Sequence, residues 1–226
     1  MSTVRLILPK NIVKKIRGIA KLSHSNQWEY AGCLDFKVNR YNEILFHEPI
    51  YDTSKSNRSV DIKVIEKVWP NNPITFHTHP TPLTEPVSGN KIVTLPSSAD
   101  FRAYIQMFPK MQSNLIAELS GLYVIDIFDS AKDYKLPVPQ SVDMVMNCFR
   151  EGLYDYQFNH KDNLEYFSVP IDTWSMCISE LNENLNRIFG ISLSYYSYDE
   201  PIILTIDKKQ YMLRSLESET DEIDFK

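Results

Sequence analysis

The sequence predicts an α/β fold for residues 1–130, a mainly helical region for residues 131–214 and an acidic tail for residues 215–226. Three observations lead to this division. Up to residue 130, apolar residues at helical spacing alternate with short apolar runs that are typical of strands. Beyond it, helical spacing dominates, and the last ten residues are mostly acidic or polar. A hydrophobic content of 43% is ample for a sizeable core.

The chain begins with a predicted strand followed by a helix. Residues 4–8 form a short, mainly apolar run, and Pro9 favours a helix start because its fixed φ suits the first helical turn. Apolar residues then recur at helical spacing, with basic residues between them. The positions that define this helical face are Ile12, Ile16, Ile19 and Ala20.

The other elements predicted before residue 130 follow in chain order: strands over 30–38 and 44–46, a helix over 61–69, a strand that starts at residue 74, a helix over 98–108 and a strand over 121–128. Pro70 ends the helix that precedes it, because proline cannot continue a helix. The last strand reads GLYVIDIF and is nearly all apolar, so we expect it to be covered on both faces.

A proline-rich stretch over residues 80–96 separates the strand with the two histidines from the next helix. It lacks helical or strand periodicity over most of its length, so we predict an irregular loop. Its position places it at the mouth of any site built from the segments on either side. Long irregular loops are often lids or binding loops, although a disordered surface insertion has the same composition.

After residue 130 the pattern is mainly helical. One helix is predicted from apolar residues at positions 142, 145, 149 and 153. A second helix of five turns runs from Ile171 to Ile188 and ends at Gly190. Two β-like stretches over 193–198 and 202–206 precede the acidic tail, which we expect to be solvated and mobile.

Composition limits the partners and the compartment. The net charge is −5 and no long basic run occurs, which argues against nucleic-acid binding. No apolar stretch is long enough for a membrane span, and three scattered cysteines build no disulfide framework, so a cytoplasmic protein is expected. Asparagine (15 residues) outnumbers glycine (6 residues), which suggests an AT-rich genome such as that of a parasite or a large DNA virus. A viral protein would act in the host cytoplasm or the virion.

The segment ITFHTHP places His77 and His79 one residue apart at the end of a predicted strand. Side chains at positions i and i+2 of a strand point to the same face, so both rings can reach one ion. A pair of polar residues at a strand end, bonded to nearby backbone, would give the same pattern. Two ligands alone do not define a zinc site.

Three further polar residues extend the pattern. Ser97 and Asp100 open a predicted helix with the spacing SxxD, and Glu29 begins a predicted strand. Each has a purely structural explanation: Ser97 and Asp100 as a helix N-cap with an acid in the first turn, and Glu29 as a surface charge. Taken with the two histidines, they supply three metal ligands, a carboxylate for proton transfer and a hydroxyl for an oxyanion. This set is sufficient to hydrolyse an amide.

The order of these residues resembles the JAMM motif of MPN-domain metalloproteases. The resemblance is carried by Glu29 with Gly32, by the His77–Pro80 segment and by the Pro96–Asp100 segment. It covers roughly residues 3–130, and we recognise no resemblance for the rest. The resemblance implies an MPN fold, in which a mixed, curved β-sheet is flanked by helices.

The resemblance also implies a role for each motif residue. His77, His79 and Asp100 would be ligands of a Zn²⁺ ion, Glu29 would be the general acid/base, and Ser97 would support the oxyanion. Familiar eukaryotic members cleave isopeptide bonds to ubiquitin or ubiquitin-like proteins, and others process small sulfur-carrier proteins. The expected function is therefore a zinc metalloprotease of the deubiquitinase type, with a protein conjugate as substrate.

The sequence departs from the family pattern in two places. The family usually has seven residues between the second histidine and the serine, whereas seventeen separate His79 from Ser97 here. The Glu29 segment reads EYAGCL where an aliphatic strand is commoner, and we interpret Cys33 as a small buried hydrophobe. The remaining histidines have no ligand-spaced partner and are interpreted as structural or surface residues: His24, His47 and His160.

Two other functions fit the same residues. MPN domains also serve as scaffolds, so the chain could be a structural or accessory component of a large assembly, for example a viral one, without catalysis. A zinc hydrolase acting on a small molecule is the third alternative. For an enzyme and for a scaffold alike, we expect an activating or scaffold partner to bind to the C-terminal region. We expect no binding to nucleic acid or to a membrane.

Overall fold

Strands and helices alternate along most of the computed structural model, which describes residues 2–56, 59–69, 72–81, 83, 89–127, 143–144, 146–147 and 166–221. The strands are β1 (Thr3–Ile7), β2 (Tyr30–Leu34), β3 (Phe36–Val38), β4 (Ile44–Phe46), β5 (Ile50–Thr53), β6 (Ile74–Thr78), β7 (Lys91–Thr94), β8 (Ser113–Ala117), β9 (Gly121–Ile127), β10 (Tyr166–Val169), β11 (Ile191–Ser197) and β12 (Ile203–Asp207). The helices are α1 (Lys10–Asn26), α2 (Ile62–Val68), α3 (Ser98–Met107), α4 (Ile171–Phe189) and α5 (Lys208–Asp221).

A six-stranded mixed sheet with the order β11-β9-β8-β6-β2-β5 forms the centre of the fold. Only β6 and β8 pair in parallel, and the other neighbours in this sheet are antiparallel. Three two-stranded sheets pair β1 with β12, β7 with β10, and β3 with β4. The predicted α/β class and the mixed, curved sheet are therefore confirmed.

The central sheet buries an apolar layer on each face. On one face, α3 and α4 pack over residues such as Ala31 and Ile116. On the other face, α1 packs over residues such as Phe76 and Leu115. Along β8 and β9, successive residues alternate between the two layers, as the period of a strand requires. This confirms that the strand beginning at Gly121 is covered on both faces.

Gly32 allows β2 to lie close to its neighbours. A Cβ atom at this position would lie 2.3 Å from the Phe76 ring and 2.4 Å from the carbonyl oxygen of Ile50. Both contacts are far inside van der Waals distance, so any side chain here would push β5 or β6 away. The glycine of the motif is thus required for the packing of the sheet that carries His77.

Residues beyond 165 are joined to the earlier part of the chain by strand pairing. β11 pairs with β9 at the end of the central sheet, β12 pairs with β1, and β10 pairs with β7. α5 packs against β3, where Arg214 Nη1 lies 2.9 Å from Asp35 Oδ1. Residues 166–207, which the sequence pattern separates from the first 130, thus supply strands to three of the four sheets.

Several elements differ from the sequence prediction. The strand predicted over 30–38 is two strands, β2 and β3, which belong to different sheets on either side of Asp35. The irregular loop predicted over 80–96 contains β7, so this prediction is wrong for residues 91–94. Its β-branched residues pair with β10, and a partner so distant in sequence leaves no local pattern. β5, β8 and β10 were not predicted.

In the C-terminal part, the predicted end of α4 is confirmed, whereas the predicted tail is partly helical. α4 ends at Gly190, whose φ of 66° is the left-handed conformation that favours glycine, as predicted. α5 continues to Asp221, so the tail predicted to be mobile from residue 215 is helical as far as that residue. No proline or glycine interrupts residues 208–221, which explains the continuation. Residues 143–144 and 146–147 are helical, within the helix predicted from positions 142, 145, 149 and 153, whereas those four positions and residues 222–226 lie outside the described residues. Within the described part of the chain, no helix is both long enough and apolar enough to cross a membrane.

Candidate metal centre

The two histidines lie at the end of β6, in the middle of the central sheet. His77 stands opposite Ala31 of β2 and Ile116 of β8, so it faces the layer covered by α3 and α4. The backbone N–H of His79 donates to the carbonyl oxygen of Ala117 at 3.0 Å, which continues the pairing with β8 past the last residue of β6. The two Nε2 atoms are 3.2 Å apart. The prediction that both rings point to one face is confirmed.

Asp100 in the first turn of α3 completes a group of three metal-ligating side chains. Its Oδ1 atom lies 3.0 Å from Nε2 of His77, and its Oδ2 atom lies 3.6 Å from Nε2 of His79. One ligand atom from each of the three residues falls within 4.8 Å of the others. All three side chains are largely buried, and those of His79 and Asp100 keep 15% and 12% exposure, so the group is not completely closed to solvent.

A capping box holds Asp100 in place. The backbone N–H and the hydroxyl of Ser97 donate to Oδ2 of Asp100 at 2.6 and 2.9 Å, and the backbone N–H of Asp100 donates to Oγ of Ser97 at 3.3 Å. The N-cap explanation of the SxxD spacing is therefore confirmed. The same bonds orient the carboxylate toward the histidines, so the cap and the ligand position have one structural cause. The role of Ser97 toward an oxyanion stays a prediction.

Glu29 lies directly before β2, the strand that pairs with β6. Its backbone is fixed by neighbours on the other side of β2: the N–H of Glu29 donates to the carbonyl oxygen of Ser56 at 2.7 Å, and the Thr53 hydroxyl donates to the carbonyl oxygen of Glu29 at 2.6 Å. The Glu29 carboxylate is close enough to the site that its charge helps to raise the pKa of His77. The structure thus brings together four of the five predicted site residues, His77, His79, Ser97 and Asp100, and places Glu29 directly before the neighbouring strand β2.

Burial and the neighbouring charges act in opposite directions on the pKa values of the three side chains. Burial alone would lower the pKa of His77, but the Asp100 carboxylate and, more weakly, Glu29 outweigh it, and the pKa is raised. For His79, burial prevails over the attraction of Asp100 and lowers the pKa to about 4. The pKa of Asp100 is held below its usual range by the two histidines and by the Ser97 bond, against the effect of burial. The ionised Asp100 carboxylate therefore attracts positive charge to this group.

A second set of buried polar groups lies on the Nδ1 side of the His79 ring. Its Nδ1 atom is 3.1 Å from the Thr94 hydroxyl of β7. The hydroxyl and the backbone N–H of Thr94 both donate to Oε2 of Glu118, at 2.8 and 2.7 Å, and the Tyr195 hydroxyl donates to Oε1 at 3.2 Å. Burial raises the pKa of Glu118 to about 8, although these three hydrogen bonds oppose the shift. Neither Thr94 nor Glu118 was predicted as a site residue.

Local sequence patterns could have drawn attention to Thr94 and Glu118. The run KIVT at positions 91–94 is β-branched and could have indicated a short strand. Glu118 is the last charged residue before the apolar strand that starts at Gly121, in a segment otherwise without charge. Nothing local, however, indicates that their side chains meet.

His24, His47 and Cys33 are not part of the metal group. Nδ1 of His24 is hydrogen-bonded to the carbonyl oxygen of Thr81 at 2.9 Å, His47 is exposed, and His160 lies outside the described residues. Cys33 is buried, and burial raises the pKa of its thiol to about 11. This confirms the interpretation of Cys33 as a small buried hydrophobe.

The donor chemistry fits zinc. Two imidazole nitrogens and one carboxylate oxygen are ligands that Zn²⁺ accepts, and three protein ligands leave a fourth position of a tetrahedral ion for water or substrate. The partial exposure of His79 and Asp100 is consistent with such an open position. The same ligands also suit other divalent transition metals, so the group could hold a divalent metal ion whose identity the geometry does not define.

The chain matches no protein-family model, and no curated protein matches it either. The likeness to the JAMM motif therefore rests on the motif residues themselves and on the arrangement that the fold gives them.

Proposed function

We propose that this protein is a zinc-dependent isopeptidase or peptidase of the JAMM type that acts on ubiquitin or ubiquitin-like conjugates. One observation carries the proposal: His77, His79 and Asp100, from two separate segments, place one ligand atom each within 4.8 Å of the others. The charge of Glu29 also acts on this group, since it contributes to the raised pKa of His77. The proposal includes an MPN fold for residues 3–130. The order of the elements supports it: a helix, an HxH strand, a capped helix and two apolar strands.

Each residue has a part in the proposed reaction. His77, His79 and Asp100 would hold the zinc ion, which when bound supplies a Lewis acid that polarises a carbonyl and acidifies a water molecule. The Glu29 carboxylate takes a proton from the attacking water and returns it to the leaving amine. The Ser97 hydroxyl donates to the oxyanion that develops at the carbonyl. Because that hydroxyl now donates to Asp100, this role requires it to rotate or to share its proton.

A metal analysis combined with a cleavage panel tests the proposal. Purified protein should carry about one zinc ion per chain, as expected of a site with three ligands and one open position. The panel should contain di-ubiquitins of different linkage, a ubiquitin-like conjugate, an unfolded peptide and a small ester. Cleavage of a conjugate supports the isopeptidase, whereas cleavage of the ester alone indicates a hydrolase of small molecules. Full zinc content with no cleavage of any substrate indicates the scaffold alternative.

A further inference from the structure

We propose that Thr94 and Glu118 are positioning residues of the metal centre, and that they hold the His79 ring with its Nε2 atom toward the ion. The Thr94 hydroxyl would accept the Nδ1 proton of His79 and donate its own proton to Glu118. This inference rests on the metal site of the proposed function and extends it beyond the motif, to Thr94 of the inserted stretch and to Glu118, which directly follows β8.

The directions of the hydrogen bonds follow from the donors present. The backbone N–H of Thr94 can only donate, so Oε2 of Glu118 accepts at 2.7 Å. The Thr94 hydroxyl has one proton and gives it to the same oxygen at 2.8 Å. Its oxygen is then left to accept from Nδ1 of His79 at 3.1 Å. A neutral imidazole that carries its proton on Nδ1 has its lone pair on Nε2, which is the atom that faces Asp100 and His77.

The burial of Glu118 is difficult to explain by the fold alone. Its side chain is completely buried, and a buried acid is costly unless it is hydrogen-bonded or placed near a positive charge. Its main chain is separately bonded, since its N–H donates to Gly121 and its carbonyl oxygen accepts from the Tyr198 hydroxyl at 2.7 Å. The carboxyl group therefore serves its side-chain partners. Histidines that bind metals commonly donate their second N–H to a carboxylate, directly or through another group.

The hydrogen-bonded chain from His79 through Thr94 to Glu118 is called the relay. The C-terminal region holds it in place. Thr94 lies opposite Tyr166 in the pairing of β7 with β10, so residues from beyond 165 fix the position of β7. Tyr195 of β11 donates to Glu118 from the other side. The seventeen residues between His79 and Ser97 are therefore more than a spacer, because the stretch returns to His79 with Thr94. Through these contacts with the relay, residues 166–198 help to position the proposed metal centre.

Zinc affinity of Thr94 variants tests the inference. Thr94→Val keeps the shape of the side chain and removes the hydroxyl, whereas Thr94→Ser keeps the hydroxyl. The affinity is measured by competition with a chromophoric chelator, and the folding of each metal-free variant is measured by circular dichroism. We expect Thr94→Val to bind zinc about 10–100-fold more weakly than wild type, and Thr94→Ser to bind nearly as tightly as wild type.

Cobalt substitution separates positioning from a general loss of structure. The visible absorption bands of Co²⁺ report the ligand geometry, so they should differ between wild type and Thr94→Val and be restored in Thr94→Ser. If Thr94→Val does not fold, Glu118→Gln takes its place, with the same expected loss of affinity. Wild type that binds no zinc would overturn the proposed function and this inference together. Wild type that binds zinc, with a folded Thr94→Val or Glu118→Gln that binds equally well and gives the same cobalt spectrum, would overturn only the inference.

Discussion

Nε2 of His77 lies 3.0 Å from Oδ1 of Asp100, and this contact joins the end of a central strand to the first turn of a helix. Both residues are fixed by their own elements. His77 is held between β2 and β8, and Asp100 is held by the capping box with Ser97. The contact is thus a consequence of how α3 packs on the sheet, and the fold alone brings the three candidate ligands together. Such preorganisation is expected of a functional metal site.

The first prediction concerns metal content. His77→Ala and Asp100→Ala each remove one of three ligands, so zinc occupancy should fall from about one ion per chain to a small fraction of that. Elemental analysis of protein purified with added zinc measures the occupancy. His47→Ala is the matched control, because His47 is exposed and lies outside the metal group, and it should keep full occupancy. Equal zinc content in all four proteins would show that the ion binds elsewhere.

The second prediction separates the two parts played by Ser97. Ser97→Ala removes the cap of α3, which should lower the free energy of unfolding by about 1 kcal/mol. It also removes a hydrogen bond from the Asp100 carboxylate, so zinc affinity should fall. Ser97→Thr keeps the hydroxyl and should retain most of both. Chemical denaturation of the metal-free proteins gives the stability. A zinc affinity unchanged in Ser97→Ala would mean that the capping box does not position the ligand.

The third prediction concerns pH. Burial raises the pKa of Glu118 from its ordinary 4.5 to about 8, so the folded protein resists ionisation of this group while the unfolded chain does not. The free energy of unfolding of metal-free wild type should therefore fall between about pH 4.5 and 8, relative to Glu118→Gln, and the difference should level off above pH 8. Its size should be on the order of a few kcal/mol.

Denaturation of both proteins in a metal chelator, at several pH values, measures this difference. Other titrating groups, including the buried Asp126, contribute to both proteins and largely cancel. A difference that stays constant from pH 4.5 to 8 would show that Glu118 is charged throughout, or that it is exposed to solvent.

The fourth prediction uses two glycines. Gly32→Ala places a methyl group 2.3 Å from the Phe76 ring, and the resulting shift of β2 or β6 should lower the free energy of unfolding by about 1–3 kcal/mol. Gly18→Ala is the matched control. Gly18 is exposed on α1 and a Cβ atom there meets nothing within 4 Å, so the change should stabilise the protein by about 0.5–1 kcal/mol. Thermal denaturation of the two variants is sufficient, and the same sign in both would contradict the packing described for Gly32.

The sequence predicted the elements with strong local patterns. The apolar face of α1, the five turns of α4 and the glycine at its end follow from helical spacing and from the left-handed residue that ends the helix. The same-face position of His77 and His79 follows from the period of a strand. The SxxD spacing indicated the cap of α3 correctly. These features depend on residues that are close in the sequence.

The missed features depend on partners that are distant in the sequence. β7 is a strand because it pairs with β10, and β5 is a short edge strand with a mixed burial pattern. Thr94 and Glu118 meet only because β7 lies across the end of β8, which no local pattern shows. The division of the chain at residue 130 reflects a change of pattern, whereas the strand pairing continues across it in β9 and β11.

The rate of conjugate cleavage by Glu29→Gln tests the proposed function most directly. The substitution keeps the size of the side chain and removes its proton acceptor, and a well-placed general acid/base contributes roughly two to four orders of magnitude in rate. We expect Glu29→Gln to fold and bind zinc as wild type does, and to lose at least 100-fold (about two orders of magnitude) in cleavage rate. Glu66→Gln, which changes an exposed glutamate of α2, should cleave at the wild-type rate. Equal cleavage by Glu29→Gln and wild type, or no cleavage of any ubiquitin-like conjugate or peptide by fully zinc-loaded wild type, would contradict the account.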